Sequence, residues 1–420
     1  MSAKRTIATN TIVQLIGKAV NTTSSLLVTL LIARSLGADF YGEFTKAFVT
    51  ATLFFIGIDF GLNAIVVRRI VKDQANEQEE FRNTLGLRLL FAVASLALLA
   101  VFLLLVPTAD DQGYSARVKF ATLIFGLTFF EHASFTTANS IFQRRLQYAK
   151  SVLASVVGSL VVLGAVAVAV AAKADIRIVA LSHVAGSLTM MAIALVFVKD
   201  MIGKVSPTFV WRKMMGLFKE ALPLGFTLLL SVLTTRIGII VLSLLKSNAE
   251  VGFYGLAYRA FDVALVFPTF FMNATYPIMV EQASQGRDKL KKIVKQSAAV
   301  LLVVSLLSTA ALYSISPLLA FIREEFGQAQ TPLKILSLSL PLFFLTSLLQ
   351  WTIVTLKKEK VLIPVYAAAT GLNLTANLLL IPRYGMLAAA ATTVITEAAI
   401  LFLLAFPVLQ SFRRINRETS

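Results

Sequence analysis

Long apolar stretches alternate with short polar gaps along the whole chain. A hydrocarbon core about 30 Å thick needs about 20 apolar residues in a helix, because each residue adds about 1.5 Å. Backbone polar groups in lipid must bond within their own segment, so such stretches form helices and not strands. The pattern predicts twelve membrane-spanning helices, near residues 9–33, 44–66, 86–106, 119–142, 151–171, 178–198, 221–245, 252–276, 296–318, 333–356, 361–381 and 385–408.

Composition supports the same class. Hydrophobic residues make up 57% of the chain and charged residues 15%, whereas a soluble domain is more polar. Zero cysteine excludes a disulfide framework, thiol catalysis and a zinc thiolate site. The first apolar stretch carries Asn10, Gln14 and Lys18, which is not the pattern of a cleavable signal peptide.

Basic residues crowd into every second gap between the apolar stretches. Most of the 39 lysines and arginines lie before the first span, between even and odd spans, or after the last one. The positive-inside rule places these gaps and both termini in the cytoplasm. The formal charge of +17 therefore implies no nucleic acid, and it would hold the chain against anionic lipid headgroups.

A short repeat and one wide gap predict how the spans are grouped. The sequence Tyr41–Phe48 (YGEFTKAF) follows the first span, and Tyr254–Phe261 (YGLAYRAF) follows the seventh. A repeat six spans apart keeps its orientation in the membrane, as in transporters built from two parallel halves. We expect an all-α polytopic membrane protein with two six-helix lobes around a central cavity. The predicted parts are an N-terminal lobe at 1–200, a cytoplasmic linker at 201–220 and a C-terminal lobe at 221–420.

Several spans carry polar residues along one side. Residues three, four and seven apart share a helix face, and the first and eleventh spans show this spacing. Such a stripe faces either a wet cavity or a neighbouring helix, because polar groups are costly in lipid. Both interpretations stay open for the amide and hydroxyl groups, whereas full charges favour a cavity. The stripe residues are Asn10, Gln14, Lys18 and Asn21 in the first span, and Tyr366, Thr370, Asn373 and Asn377 in the eleventh.

Charged residues inside the predicted spans have simpler interpretations too. Arg259 and Asp262 are three apart on one helix and can pair with each other. Arg88 lies near a helix end, where its long side chain can snorkel towards water. His132 and His183 are expected to be hydrogen-bonded residues at helix contacts. No nucleotide-binding loop, metalloprotease motif or nucleophile elbow is present, so the sequence predicts no enzyme.

Three segments resemble a known family. They are IARSLGADFYGEF (Ile32–Phe44), FFIGIDFGLNAIVVRR (Phe54–Arg69) and NLLLIPRYGMLAAAAT (Asn377–Thr392). They are similar to the polysaccharide and oligosaccharide-lipid flippases of the multidrug, oligosaccharidyl-lipid and polysaccharide exporter superfamily. The related lipid II flippases usually have two further helices, which points away from lipid II as substrate.

The resemblance implies that the chain moves an undecaprenyl-pyrophosphate-linked oligosaccharide across the bacterial inner membrane by alternating access. Such a substrate needs cations for its phosphates and amides for its sugars. No cofactor or metal is expected, and coupling to protons or sodium is left open. The candidate substrate-binding residues are Lys18, Lys46, Arg236 and Arg259 for phosphate, and Asn10, Gln14, Asn21, Asn373 and Asn377 for sugar. The candidate gate residues are Arg34 and Asp39, and the candidate ion-coupling residues are Asp59, Asp262 and Glu397.

Rival functions stay open at this point. A cation-coupled exporter of small molecules or drugs has the same architecture but needs an apolar or acidic pocket. A membrane glycan polymerase or ligase needs a sizeable external loop, and the predicted external gaps are about a dozen residues long. A structural partner in glycan assembly is a third alternative, and a polysaccharide polymerase is a candidate partner of the chain.

Overall fold

The computed structural model describes residues 3–72 and 76–413, and across them the chain is helical. The only extended pairing among these residues is one isolated bridge between Thr108 and Tyr114. The all-α fold class is confirmed. The helices are α1 (Ala3–Leu53), α2 (Phe55–Asp59), α3 (Leu62–Lys72), α4 (Glu77–Leu105), α5 (Ala116–Gly126), α6 (Thr128–Arg144), α7 (Tyr148–Ala171), α8 (Ile176–Ile202), α9 (Trp211–Leu245), α10 (Asn248–Ala264), α11 (Val266–Ser284), α12 (Arg287–Ile315), α13 (Gln330–Ser337), α14 (Leu340–Thr355) and α15 (Leu362–Arg413). Short 3-10 helices, Ser316–Phe321, Glu324–Ala329 and Glu359–Val361, occupy loops.

Two of these helices each contain two predicted spans joined at a sharp bend. Helix α1 bends at Gly37, with φ 86° and ψ 179°, and helix α15 bends at Gly385, with φ 56° and ψ −136°. Glycine adopts positive φ without steric cost, which lets the chain reverse with almost no loop. A Cβ at Gly385 would also overlap the carboxylate of Glu250. The predicted gap at 34–43 is therefore helical on both sides of one glycine.

In four predicted spans the regular helical hydrogen bonding is interrupted at one or a few residues. The second span breaks at Phe54 and again at Phe60 and Gly61, and the fourth breaks at Leu127. The eighth consists of α10 and α11, and the tenth of α13 and α14. Eight described helices are long and apolar enough to cross a membrane, or nine with the bent pair that ends in α14. Ile12–Asp59 and Glu359–Phe412 each hold two predicted spans, and α5 with α6 forms the fourth span, so each of the twelve has a counterpart.

The chain folds as two compact units, Met1–Leu229 and Leu230–Ser420. The boundary falls inside α9 and not in the segment 201–220. That segment is bound to the start of α4. The backbone amide of Thr208 donates to the Arg82 carbonyl at 3.0 Å, and the side-chain amide of Gln78 donates to the Ile202 carbonyl at 2.7 Å. The segment between α8 and α9 is consequently part of the first unit.

Ion pairs at one end of the first unit join the helix ends that were predicted to share a side. Arg69 of α3 binds Glu220 of α9 at 2.7 Å, and Arg145 at the end of α6 binds Glu77 of α4 at 2.7 Å. The gap between the second and third predicted spans is largely helical, because α3 extends to Lys72 and α4 begins at Glu77; residues 73–75 lie outside the described residues. The gaps after the second, fourth and sixth predicted spans therefore lie at the same end of the first unit, as the distribution of basic residues predicts.

Candidate transport site

A cavity of ≈ 130 Å³ lies inside the second unit, between three helices. Its lining combines hydroxyl and amide groups with a single carboxylate, Glu397. Helix α9 supplies one wall, α14 a second, and both arms of α15 the rest. The lining residues are Ser231, Thr234, Thr235, Phe343, Thr346, Ser347, Gln350, Tyr366, Glu397 and Ile400.

Glu397 is the charged group of this cavity, and its side chain is 4% exposed. Thr346 lies beside its carboxyl group, and the Tyr366 hydroxyl donates to the side-chain oxygen Oε1 of Gln350 at 3.1 Å. In the described part of the chain no ion pair includes Glu397. A buried carboxylate needs a compensating proton, cation or donor. The surrounding oxygens make this cavity suited to a proton or a small cation.

The other two predicted ion-coupling acids are each compensated by an arginine. Asp59 at the end of α2 accepts from Arg88 at 2.7 Å, and the same guanidinium donates to Thr137 at 3.1 Å. Arg88 is 0% exposed, so the snorkelling interpretation is wrong: its charge lies inside the first unit because Asp59 and Thr137 bind it there. Asp262 of α10 pairs at 3.3 Å with Arg236 of α9.

Arg236 and Arg259 were both predicted to contact phosphate. The Arg236 guanidinium lies 5.1 Å from the centre of the Tyr258 ring, in addition to its contact with Asp262. Arg259 is half-buried on α10, where it directly follows Tyr258 and precedes Asp262 by three residues. The structure thus places Arg236, Asp262 and Tyr258 together in the second unit.

Two amides of the first-span stripe form contacts between helices. Asn10 donates to the Leu146 carbonyl at 2.8 Å. Asn21 donates to Ser155 at 3.0 Å and accepts from Ser159 at 2.9 Å, which attaches α1 to α7. These groups fit the helix-contact interpretation that the sequence left open.

Gln14 and Lys18 behave differently from these asparagines, because both side chains are exposed on α1. Within the described residues, Gln14 donates one long hydrogen bond, to the Asn10 carbonyl at 3.3 Å. Lys18 forms no ion pair within the same residues. An amide and a cation thus lie one turn apart on the exposed side of α1.

The two asparagines of the eleventh span are buried in a network inside α15. Asn377 donates to the carbonyl and the side-chain oxygen of Asn373, both at 2.8 Å. Asn373 donates to Thr396 at 2.9 Å, and Thr392 donates to Asn377 at 2.9 Å. The network joins the two arms of α15 across the bend. It fixes the rotation of the second arm and so positions Glu397, the neighbour of Thr396.

The remaining predicted residues lie near the bend of α1. Arg34 and Asp39 are exposed on either side of Gly37. Lys46 is buried, and its ammonium donates to the carbonyls of Asp111 at 3.2 Å and Gly113 at 2.8 Å. Lys46 therefore ties the loop after α4 to the second arm of α1.

The sequence analysis did not identify the wall that α14 contributes. Thr346, Ser347 and Gln350 occupy spacings that bring them to one side of an otherwise apolar helix, which was the available signal. Glu131 of α6, an acid inside the fourth predicted span, is also buried, with 5% of the residue exposed.

The arrangement defines a class: a polytopic helical membrane protein with bent helices and buried charges. A family model described as polysaccharide biosynthesis protein matches residues 7–283, and a second, described as MatE, matches residues 223–379. The chain belongs to the polysaccharide biosynthesis protein family, within the superfamily that also contains the multidrug exporters. The predicted family is confirmed, and the chain is not an enzyme.

Solved structures share the fold at low sequence identity. The chain is similar to a lipid II flippase MurJ in an inward closed conformation, with TM-score 0.76 and 14% identity over 97% of this chain and 90% of that one. An inward-facing multidrug resistance MATE family transporter gives TM-score 0.73 and 12% identity over 95% and 96%. An outward-facing transporter of the same MATE family gives 0.68 and 16% over 99% and 97%. No curated protein sequence matches the chain.

Proposed function

We propose that the chain is a flippase for an undecaprenyl-pyrophosphate-linked oligosaccharide, the repeat unit of an O-antigen or exopolysaccharide. The observation that carries this proposal is the family match over residues 7–283, because that family is described by polysaccharide biosynthesis. The likeness to a lipid II flippase supports a substrate with a lipid tail and a polar head. The substrate crosses the bacterial inner membrane by alternating access, and both termini lie in the cytoplasm, as the distribution of basic residues favours.

The exposed pair Gln14 and Lys18 supports an anionic, glycosylated substrate. Lys18 is a cation without an ion-pair partner in residues 3–72 and 76–413, and the pyrophosphate of the carrier lipid supplies the missing anion. Gln14 lies one turn away and offers an amide for a sugar hydroxyl. Arg236 and Arg259 extend the basic character in the second unit. In this proposal Lys46 holds the loop after α4 in place through its bonds to the Asp111 and Gly113 carbonyls.

Coupling to an ion is the second part of the proposal. Glu397 binds the coupling proton or sodium ion, because it is the one acid of the three predicted whose charge no arginine compensates in the described residues. The hydroxyl and amide oxygens around it complete the site. Asp59 and Asp262 hold their arginines in place.

An alternative function is the export of small cationic molecules coupled to an ion. The match of the MatE model to residues 223–379 favours it, as does the likeness to multidrug transporters. A cationic drug needs an anionic or apolar pocket, and Lys18 would repel it. The two functions therefore differ in the sign of the charge that the substrate site prefers.

Reconstitution into liposomes separates these functions. Purified protein is expected to move a pyrophosphate-linked oligosaccharide across the bilayer, measured by a lectin or glycosidase on the far side. A fluorescent lipophilic cation tests the alternative in the same vesicles. Transport of the cation without movement of the glycolipid would overturn the flippase assignment.

A further inference from the structure

A carboxyl group that the proposed coupling does not use lies inside the first unit. Glu131 is in the first turn of α6, directly after the break at Leu127 that divides the fourth span. Its Oε1 is sealed from solvent and has no hydrogen-bond partner among the residues described. An unpaired carboxylate buried inside a membrane protein is strongly disfavoured while it is charged. Packing alone does not explain a glutamate here.

None of the described residues forms an ion pair with this acid. Helices α2, α3, α4, α5, α7 and α8 pack against α6. Arg88 is bound to Asp59 and Thr137, and His132 is stacked on Phe55 at 4.3 Å. In the described ranges none of them forms an ion pair with Glu131. The charged and titratable groups that these helices carry inside the predicted spans are Asp59, Arg88, Lys119, His132 and His183.

The backbone before Glu131 is also irregular. Leu127 keeps helical dihedral angles, φ −64° and ψ −22°, but its amide donates to the Ile124 carbonyl, three residues back, at 3.0 Å. Phe54 has the same kind of bond, to the Ala51 carbonyl at 3.1 Å, and the Phe54 and Phe129 rings pack together at 6.4 Å. A tightened turn inside a helix often marks a functional position. Glu131 thus lies one turn after such a point, in a helix that otherwise continues.

We propose that Glu131 is a proton-binding site of the first unit, separate from Glu397. Its carboxylate takes one proton from water on one side of the membrane and returns it to water on the other. A proton needs one oxygen, whereas a metal cation needs several, and no group of three or more metal-ligating side chains occurs among the described residues. The inference deepens the proposed coupling, but the site is testable without any transport.

Infrared difference spectroscopy across a pH titration is the direct test. Wild-type protein in lipid nanodiscs is expected to show a protonated-carboxyl carbonyl band whose amplitude changes with pH. The variants are compared in a Glu397→Gln background, because a protonated Glu397 contributes to the same band. In that background Glu131→Gln is expected to lose a component of the band, and Glu324→Gln, an exposed loop residue, is expected to keep it. An unchanged band in Glu131→Gln would overturn the assignment. A shift of that component when sodium is added at constant pH would also overturn it, in favour of a metal cation.

Thermal unfolding provides the second readout. Glutamine has the shape of the protonated acid, so Glu131→Gln is expected to fold and to equal the wild type in stability at acidic pH. A variant that fails to fold would contradict the proposal, since it would mean that the charged form is structurally required. In transport, Glu131→Gln is expected to retain substrate exchange and to lose the response to a pH gradient. Absence of flipping in the wild type would overturn the proposed function and leave the infrared result standing.

Discussion

Asp59→Asn removes the negative partner of Arg88 while it preserves the size of the side chain. Arg88 is 0% exposed, and its bond to Asp59 at 2.7 Å is its shortest charged contact. The Thr137 hydroxyl at 3.1 Å and the amide oxygen of the new side chain can still accept from the guanidinium, but neither carries a negative charge. Breaking a buried ion pair by removing one member costs about 3–5 kcal/mol, because the other charge stays buried and uncompensated. We expect a loss of stability of that order.

Asp262→Asn is the matched control in the other unit. Its partner Arg236 has a side chain that is 36% exposed, and their separation is 3.3 Å. Water and the Tyr258 ring also stabilise that guanidinium, so the expected loss is about 1 kcal/mol or less. A third variant, Asp59→Asn with Arg88→Met, replaces the stranded charge by an apolar chain. It is expected to recover most of the stability that Asp59→Asn loses.

Thermal unfolding of the purified variants in one detergent measures all three. The expected order of the midpoints is wild type, then Asp262→Asn, then the double variant of Asp59 and Arg88, and lowest Asp59→Asn. Two results would refute the reasoning. One is equal midpoints for Asp59→Asn and Asp262→Asn, and the other is a double variant less stable than Asp59→Asn.

Three further variants test other contacts. Lys18→Gln removes one charge-assisted interaction worth about 1.5–3 kcal/mol, so flipping of the glycolipid in liposomes is expected to slow about 10- to 100-fold. Lys18→Arg keeps the charge and is expected to retain most of the wild-type rate. Equal rates for Lys18→Gln and the wild type would contradict the role of the charge. Glu397→Gln is expected to keep transport down a substrate gradient and to lose its stimulation by an ion gradient, and a retained stimulation would exclude Glu397 as the coupling residue. Gly385→Ala is expected to lower the thermal midpoint, since Cβ would meet the Glu250 carboxylate at a φ of 56°, whereas Gly371→Ala, with nothing within 4 Å of its Cβ, is the neutral control.

The spans could be predicted from the sequence because lipid imposes a length and an apolar composition on every one of them. The breaks could not. Phe54, Phe60 and Leu127 carry no sequence signal of a break. Phe60 leaves the helical region with a φ of 36°, whereas Phe54 and Leu127 keep helical dihedral angles and only shift to hydrogen bonds three residues back. Each of the bends at Gly37 and Gly385 is marked in the sequence by one glycine. Because glycine is common in membrane helices, a single glycine does not predict a bend.

Candidate residues on a stripe were harder to assign, for a physical reason. A helix contact and a wet cavity impose the same spacing on polar residues. Asn21 binds serines of α7, and Asn373 binds Thr396, so both partners had to be known before the amide could be placed. The pairing of Asp59 with Arg88 spans 29 residues of sequence and depends on how three helices pack. For Lys18 the sequence offers no carboxylate at helical spacing, and its contact with the substrate stays a prediction.

Binding of the carrier lipid to the purified protein tests the central claim most directly. Native mass spectrometry in nanodiscs can compare undecaprenyl pyrophosphate with neutral undecaprenol, in the wild type and in Lys18→Gln. The account predicts that the wild type prefers the pyrophosphate, and that Lys18→Gln loses most of that preference. Equal binding of the charged and neutral lipids by the wild type would contradict an anion-binding flippase.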